Sequence, residues 1–194
     1  MKQAAVLTDT QFKRTLKIIA TGRHAERNRI IVLLSHWSGM RVGEISQLLV
    51  KDLLNQDGTV VDQLQINPAY TKGHVTRRIF IGTKLRAELT RYIKWLATDK
   101  EVNLVLNQPL IQSQKSQKPF SQNSLSLLFK RLYIASGVPT ASSHSGRRHY
   151  ISKLAHSGVS AKVIMELAGH KHLTTTQRYI DVTDQMKASA VELL

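Results

Sequence analysis

Residues 58–81 read GTVVDQLQINPAYTKGHVTRRIFI, and this stretch decides the fold class. Val60-Val61, Leu64 and Ile66 read as strand, and so does Val75–Ile81, with the polar turn Thr71-Lys72-Gly73-His74 between them. Two short strands joined so closely form an antiparallel hairpin. Elsewhere the apolar residues recur at helical spacing. The expected class is therefore mostly α with one small antiparallel β-sheet (α+β).

Upstream, Thr8-Asp9-Thr10-Gln11 is a capping box ahead of Phe12, Leu16 and Ile19, and Gly22 closes that helix. A second helix runs from His24 to Trp37 and stops at Ser38-Gly39. A short third helix, opening after Met40-Arg41, carries Val42, Ile45 and Leu48-Leu49. Downstream, Leu85, Leu89, Ile93 and Leu96 predict one helix, and Leu125, Leu128 and Leu132 another that ends at Gly137-Val138-Pro139. The polar stretch 107–122 between them is the longest loop. Too few elements follow it to build a separate core, so one domain is expected over 1–194. Short helices are expected over 144–158, 160–168, 173–181 and 183–194.

The 194 residues hold 28 Lys+Arg against 13 Asp+Glu, a formal charge of +15. Both halves are basic, with 16 cations against 7 anions over 1–97 and 12 against 6 over 98–194. A folded domain with this field collects polyanions, and nucleic acid leads the candidates. The membrane alternative lacks a basic amphipathic helix with a Trp/Phe face. With no cysteine, a disulfide scaffold, a thiolate metal site and a cysteine nucleophile are excluded. The opening MKQAAVLTDTQ has no signal-peptide pattern, and no apolar run approaches a membrane span. A reduced, cytoplasmic setting fits these features.

Four places carry reactive side chains that the core pattern does not need. Arg41 follows Ser38-Gly39-Met40; Lys72 sits in the hairpin turn; His144-Ser145-Gly146-Arg147-Arg148-His149 opens a helix; and Gly169-His170 precedes Tyr179 by nine residues from the histidine. Together they make a set able to attack a phosphodiester without metal. A phenol supplies the nucleophile, and guanidiniums grip the non-bridging oxygens as charge builds on phosphorus.

These motifs resemble the tyrosine recombinase (phage integrase) family. SGMRVGEI (38–45) is similar to the family's first box, HSGRRHYISKLAHSG (144–158) to the second and LAGHKHLTTTQRYI (167–180) to the third. Lys72 falls where the family keeps its hairpin lysine. The resemblance implies a site-specific recombinase acting through a 3′-phosphotyrosine, with no cofactor, metal or ATP. It implies Tyr179 as nucleophile, Arg41 and Arg147 on the phosphate, and Lys72 as proton donor to the 5′-oxygen. It also implies His144 assisting proton transfer at the tyrosine, His170 bonded to the phosphate, and Glu44 supporting the first box. Arg77, Arg78, Arg148 and Lys171 are expected to contact DNA. The implied partners are a specific duplex site, further copies of the chain on that DNA, and accessory DNA-binding proteins.

Two departures stand out. Gly146 occupies a position usually apolar in the family, and Arg148 one where His is common. The first box also begins near residue 38, which leaves no room for the family's N-terminal core-binding domain. Two alternatives remain open: a short single-domain recombinase, or a piece of a longer one. A silent DNA-binding relative predicts an eroded site, yet every expected residue is present; a type IB topoisomerase fits the length and box spacing poorly.

Taken singly, each residue has a plainer reading. Arg41 would pair with Glu44 one turn on, Tyr179 would be a half-buried aromatic, and Lys72 a solvated turn residue. His144, His149, His170 and His172 lack the spacing and carboxylates of a metal cluster. Arg77 and Arg78 read as phosphate contacts or solvated edge residues. The C-terminal helix, with Met186, Ala190 and Leu193, would dock on its own body or on a neighbour.

Overall fold

The structure, a computed structural model, describes residues 5–68, 76–99, 105–114, 118–180 and 182–192. The second helix decides the packing. In α2 (Ala25–Ser38) the run Ile30-Ile31-Val32-Leu33-Leu34 is wholly buried. A helix apolar on every side has to be enclosed, and α1 (Asp9–Ala20), α3 (Val42–Gln47), α4 (Thr83–Asp99) and α6 (Ser145–His156) pack around it.

The predicted capping box is present: Gln11 N–H donates to Thr8 Oγ1 at 3.2 Å, and Thr8 N–H to Gln11 Oε1 at 3.0 Å. The third helix is shorter than its apolar pattern. It stops at Gln47 because Leu48 turns extended, and Leu49 N–H donates to Asp52 Oδ2 to start a 3-10 turn, Val50–Leu53.

The sheet is the expected antiparallel pair, β1 (Gln63–Ile66) with β2 (Arg77–Phe80), in the register Leu64↔Ile79 and Ile66↔Arg77. Val60 and Val61 fall outside it. Gly58 turns the chain at φ +79°, and Val60 makes only an isolated bridge to Leu54. The hairpin turn, Lys72 included, lies outside the described residues. No described helix is long and apolar enough to cross a membrane.

The polar stretch 107–122 is anchored. Leu110 and Ile111 are fully buried, and Tyr92 Oη donates to Leu110 O at 3.1 Å. The chain then forms α5 (Gln122–Ala135), capped by Ser121, before reaching α6.

Gly146 has a packing reason. It lies where α6 crosses α2, and an added Cβ would stand 2.2 Å from Ser35 Oγ and 2.8 Å from His36 Cδ2. A larger residue there would push the two helices apart. After α6 come α7 (Ala161–Ala168), α8 (Leu173–Gln177) and α9 (Asp184–Val191). Ile151, Ala155, Ile164 and Ala168 form a second, smaller core between α6 and α7. Helix α8 ends at Gln177, so Tyr179 sits in the turn beyond it, and α9 has no buried residue.

Candidate active site

The C-terminal end of α7 shows how the site is assembled. A helix leaves its last carbonyls without intrahelical partners. Here Gly169 takes φ +61°, which lets Gly169 N–H donate to Glu166 O and His170 N–H to Met165 O, both at 2.9 Å. The next three carbonyls each accept from a different arginine. Arg77 Nη2 donates to Leu167 O at 2.9 Å, Arg147 Nη2 to Ala168 O, and Arg41 Nη2 to Gly169 O at 2.7 Å. Three guanidiniums from β2, from α6 and from the N-terminus of α3 thus meet at one helix end.

Glu44 organises two of them. Its Oε1 accepts from Arg41 Nη1 at 2.8 Å, and its Oε2 from Arg77 Nη1 at 2.6 Å and from the Arg41 N–H at 2.7 Å. The expected Arg41–Glu44 pairing is therefore real, but it is one half of a bridge. Burial pushes the Glu44 carboxyl up; the Arg77 and Arg41 guanidiniums and the Arg41 N–H outweigh it and hold the carboxyl below its ordinary range.

Arg147, 6% exposed, also donates through Nη1 to Gly39 O at 2.7 Å. That carbonyl is presented by a turn at φ +63°, where Tyr150 presses so closely that a Cβ would lie 2.5 Å from its ring. Burial, with Arg41 and Arg77 nearby, pulls Arg147 down to about 9, so it is still charged at neutral pH. Among the described residues the three guanidiniums share one carboxylate, Glu44, so the cluster is net positive. The negative pole of α7 offsets part of that.

His170 follows in the same turn. Its Nδ1 is 2.8 Å from Thr176 Oγ1, and its ring stacks on Tyr179 with centroids 5.7 Å apart. Burial, then the charges of Arg147, Arg41 and Arg77, lowers its pKa to about 4, so the imidazole is neutral at pH 7. The Arg148 guanidinium lies 5.3 Å from the centroid of the Tyr179 ring, and Ser152 Oγ donates to Tyr179 O at 3.1 Å. Arg41, Arg147, His170 and Tyr179 are brought together. His144, at the N-cap of α6, and Arg78 and Lys171 are exposed.

Arg77 is a correction. Expected as a phosphate contact or solvated edge residue, it is 6% exposed, and its fork is occupied by Glu44 and Leu167 O. Strand alternation carried the signal: Arg77 shares its parity with Ile79 and Ile81, which face the core. Among the described residues, no three His, Asp or Glu converge as metal ligands would.

The family described as the phage integrase family matches residues 5–186. The chain is 30% identical to the tyrosine recombinase XerA of Thermococcus kodakarensis, over 97% of this chain and 64% of that protein. It is 26% identical to the tyrosine recombinase XerC of Lactobacillus delbrueckii subsp. bulgaricus, over 82% of this chain and 52% of that one. The chain thus spans less than two thirds of these relatives. A crystal structure of XerA recombinase has the same fold at a TM-score of 0.76 and 18% identity, covering 100% of this chain and 64% of that chain. XerH bound to a palindromic difH substrate, in a post-cleavage complex, gives 0.75 and 21%, covering 98% and 53%.

Proposed function

Because the chain belongs to the phage integrase family, we propose that it cuts and rejoins DNA strands at a specific site through a 3′-phosphotyrosine. The observation that carries this reading is the meeting of Arg41, Arg147, His170 and Tyr179 around the end of α7.

The Tyr179 oxygen attacks the scissile phosphorus, its proton leaving with help from His144. The phosphorus–5′-oxygen bond breaks, and Lys72 supplies the proton that makes the leaving group a 5′-hydroxyl. A phosphodiester carries one negative charge, and the five-coordinate species approaching it carries two. Fixed guanidinium charge interacts more strongly with the doubly charged species than with the singly charged phosphodiester, so it stabilises the transition state more than the ground state. In the neutral tautomer whose Nδ1 accepts from the Thr176 hydroxyl, His170 keeps Nε2–H as a donor to the phosphate. Attack by the 5′-hydroxyl of a second strand reverses the step and rejoins DNA without net loss of bond energy. The DNA partner, further copies of the chain on it and a cytoplasmic setting belong to this same reading.

A nicked suicide substrate tests it, because loss of the short 5′-hydroxyl strand traps the adduct. A covalent protein–DNA species is expected, resistant to EDTA and absent in Tyr179→Phe, which still binds DNA. An adduct at full yield in Tyr179→Phe refutes Tyr179 as the nucleophile. Strict dependence on added Mg²⁺ or Zn²⁺ would reopen the metal reading.

A further inference from the structure

All three guanidiniums of the cluster have both terminal nitrogens on protein acceptors, and of the three it is Arg77 that joins the Glu44 carboxylate to the α7 end while lying under the Gly169 turn. Its Nη1 is committed to Glu44 Oε2 at 2.6 Å and its Nη2 to Leu167 O at 2.9 Å. Gly169 packs on its shaft, so that a Cβ there would stand 2.7 Å from Arg77 Cδ and Nε. One side chain therefore fixes three things at once: the carboxylate that holds Arg41, the height of the α7 end, and the turn that leads to His170.

The chemistry explains why an arginine stands there. A buried ion pair alone is often replaceable by apolar side chains of the same volume. A planar fork that bridges a carboxylate and a helix carbonyl is not replaceable in that way. If the end of α7 shifted, the acceptors of Arg147 and Arg41, at Ala168 O and Gly169 O, would shift with it.

Resting on the strand-cleavage reading above, we propose that Arg77 is a positioning residue for that reaction. It acts through Glu44 and the α7 carbonyls to set where Arg41, Arg147 and His170 stand, and it does not touch DNA.

Arg77→Lys in the full chain tests this. A lysine keeps the charge and the partner carboxylate but cannot hold both acceptors in one plane. Single-turnover cleavage of the nicked substrate should slow by about 100-fold, the usual cost of an ångström-scale misplacement. The amplitude of the adduct, which counts folded and competent molecules, should stay at the wild-type level. DNA affinity and its salt dependence should also be unchanged.

A wild-type rate in Arg77→Lys overturns the proposal. So does a reduced amplitude at unchanged rate, which is the signature of a purely structural residue. In the charge-removing Arg77→Met, weaker binding with a salt slope smaller by about 0.9 would make Arg77 a direct phosphate contact and overturn it as well. Arg77→Met should be slower still; if it fails to fold, Arg77→Lys decides alone. No adduct from the wild-type chain removes the cleavage reading itself, a result distinct from a defect confined to the variant.

Discussion

The two sides of the candidate site are built to different standards. On the arginine side, Glu44, Arg77 and Arg147 are nearly inaccessible, and Arg41, Arg77 and Arg147 each donate to at least one backbone carbonyl. On the tyrosine side, α8 has five residues of which only Thr176 is buried, Tyr179 lies in a turn, and α9 has no buried residue. A charge cluster must be fixed in advance, because reorienting buried cations during reaction would cost the stabilisation they provide. A nucleophile that becomes covalently joined to a substrate gains from an element with few buried contacts and low local stability.

The largest effect should come from the rigid side. Arg147→Lys replaces a fork gripping two carbonyls by a point charge, and adduct formation should fall by about 10²- to 10³-fold in a single-turnover assay. Near-normal cleavage would remove Arg147 from the phosphate.

Glu44→Ala should cost about 3–5 kcal/mol of stability, because it leaves the buried Arg77 without its carboxylate. Denaturant unfolding measures this, and a loss below about 1 kcal/mol would show that the bridge is not holding the core. Gly146→Ala should cost about 1–3 kcal/mol by overpacking α6 on α2.

Acid should act through the imidazoles. His36 and His170 are both held below their ordinary value, foremost by burial, so they are neutral when folded and protonate more readily when unfolded. The His170 contribution is complete above about pH 6.5 and is lost as pH falls toward about 4, and the His36 contribution is lost in the same direction. The melting midpoint should drop across that window, and His170→Gln should shrink the drop. A midpoint flat from pH 7 to 4.5 would contradict the burial of both rings.

The smallest change should come from removing residues 183–194. With nothing buried in α9, the melting midpoint should move by an amount equivalent to less than about 0.5 kcal/mol. A large fall would place this helix on its own body; an unchanged midpoint with lost strand exchange would place it on a neighbour.

Much of this was legible in the chain. Local rules operate over three or four residues, so the capping box at Thr8, the enclosed run Ile30–Leu34 and the hairpin followed from spacing alone. The extent of α8 was not legible, because nothing local distinguishes a helix that stops at Gln177 from one that continues. Arg77 was legible in part: its parity with Ile79 pointed inward, but an inward arginine makes sense only once a carboxylate and a carbonyl are waiting for it.

The sequence by itself determined the helical pattern, the small sheet, the basic field and the identity of the groups able to attack a phosphodiester. Only the tertiary structure decided that three arginines, from positions 41, 77 and 147, converge on consecutive carbonyls of one helix end. It also decided that Glu44 is shared between two of them, and that Gly146 is small because α6 presses on α2. The physical reason is range. Propensity, capping and periodicity act between neighbours along the chain, whereas hydrogen-bond acceptors and packing partners are assigned by elements far apart in sequence, 128 residues in the case of Arg41 and Gly169.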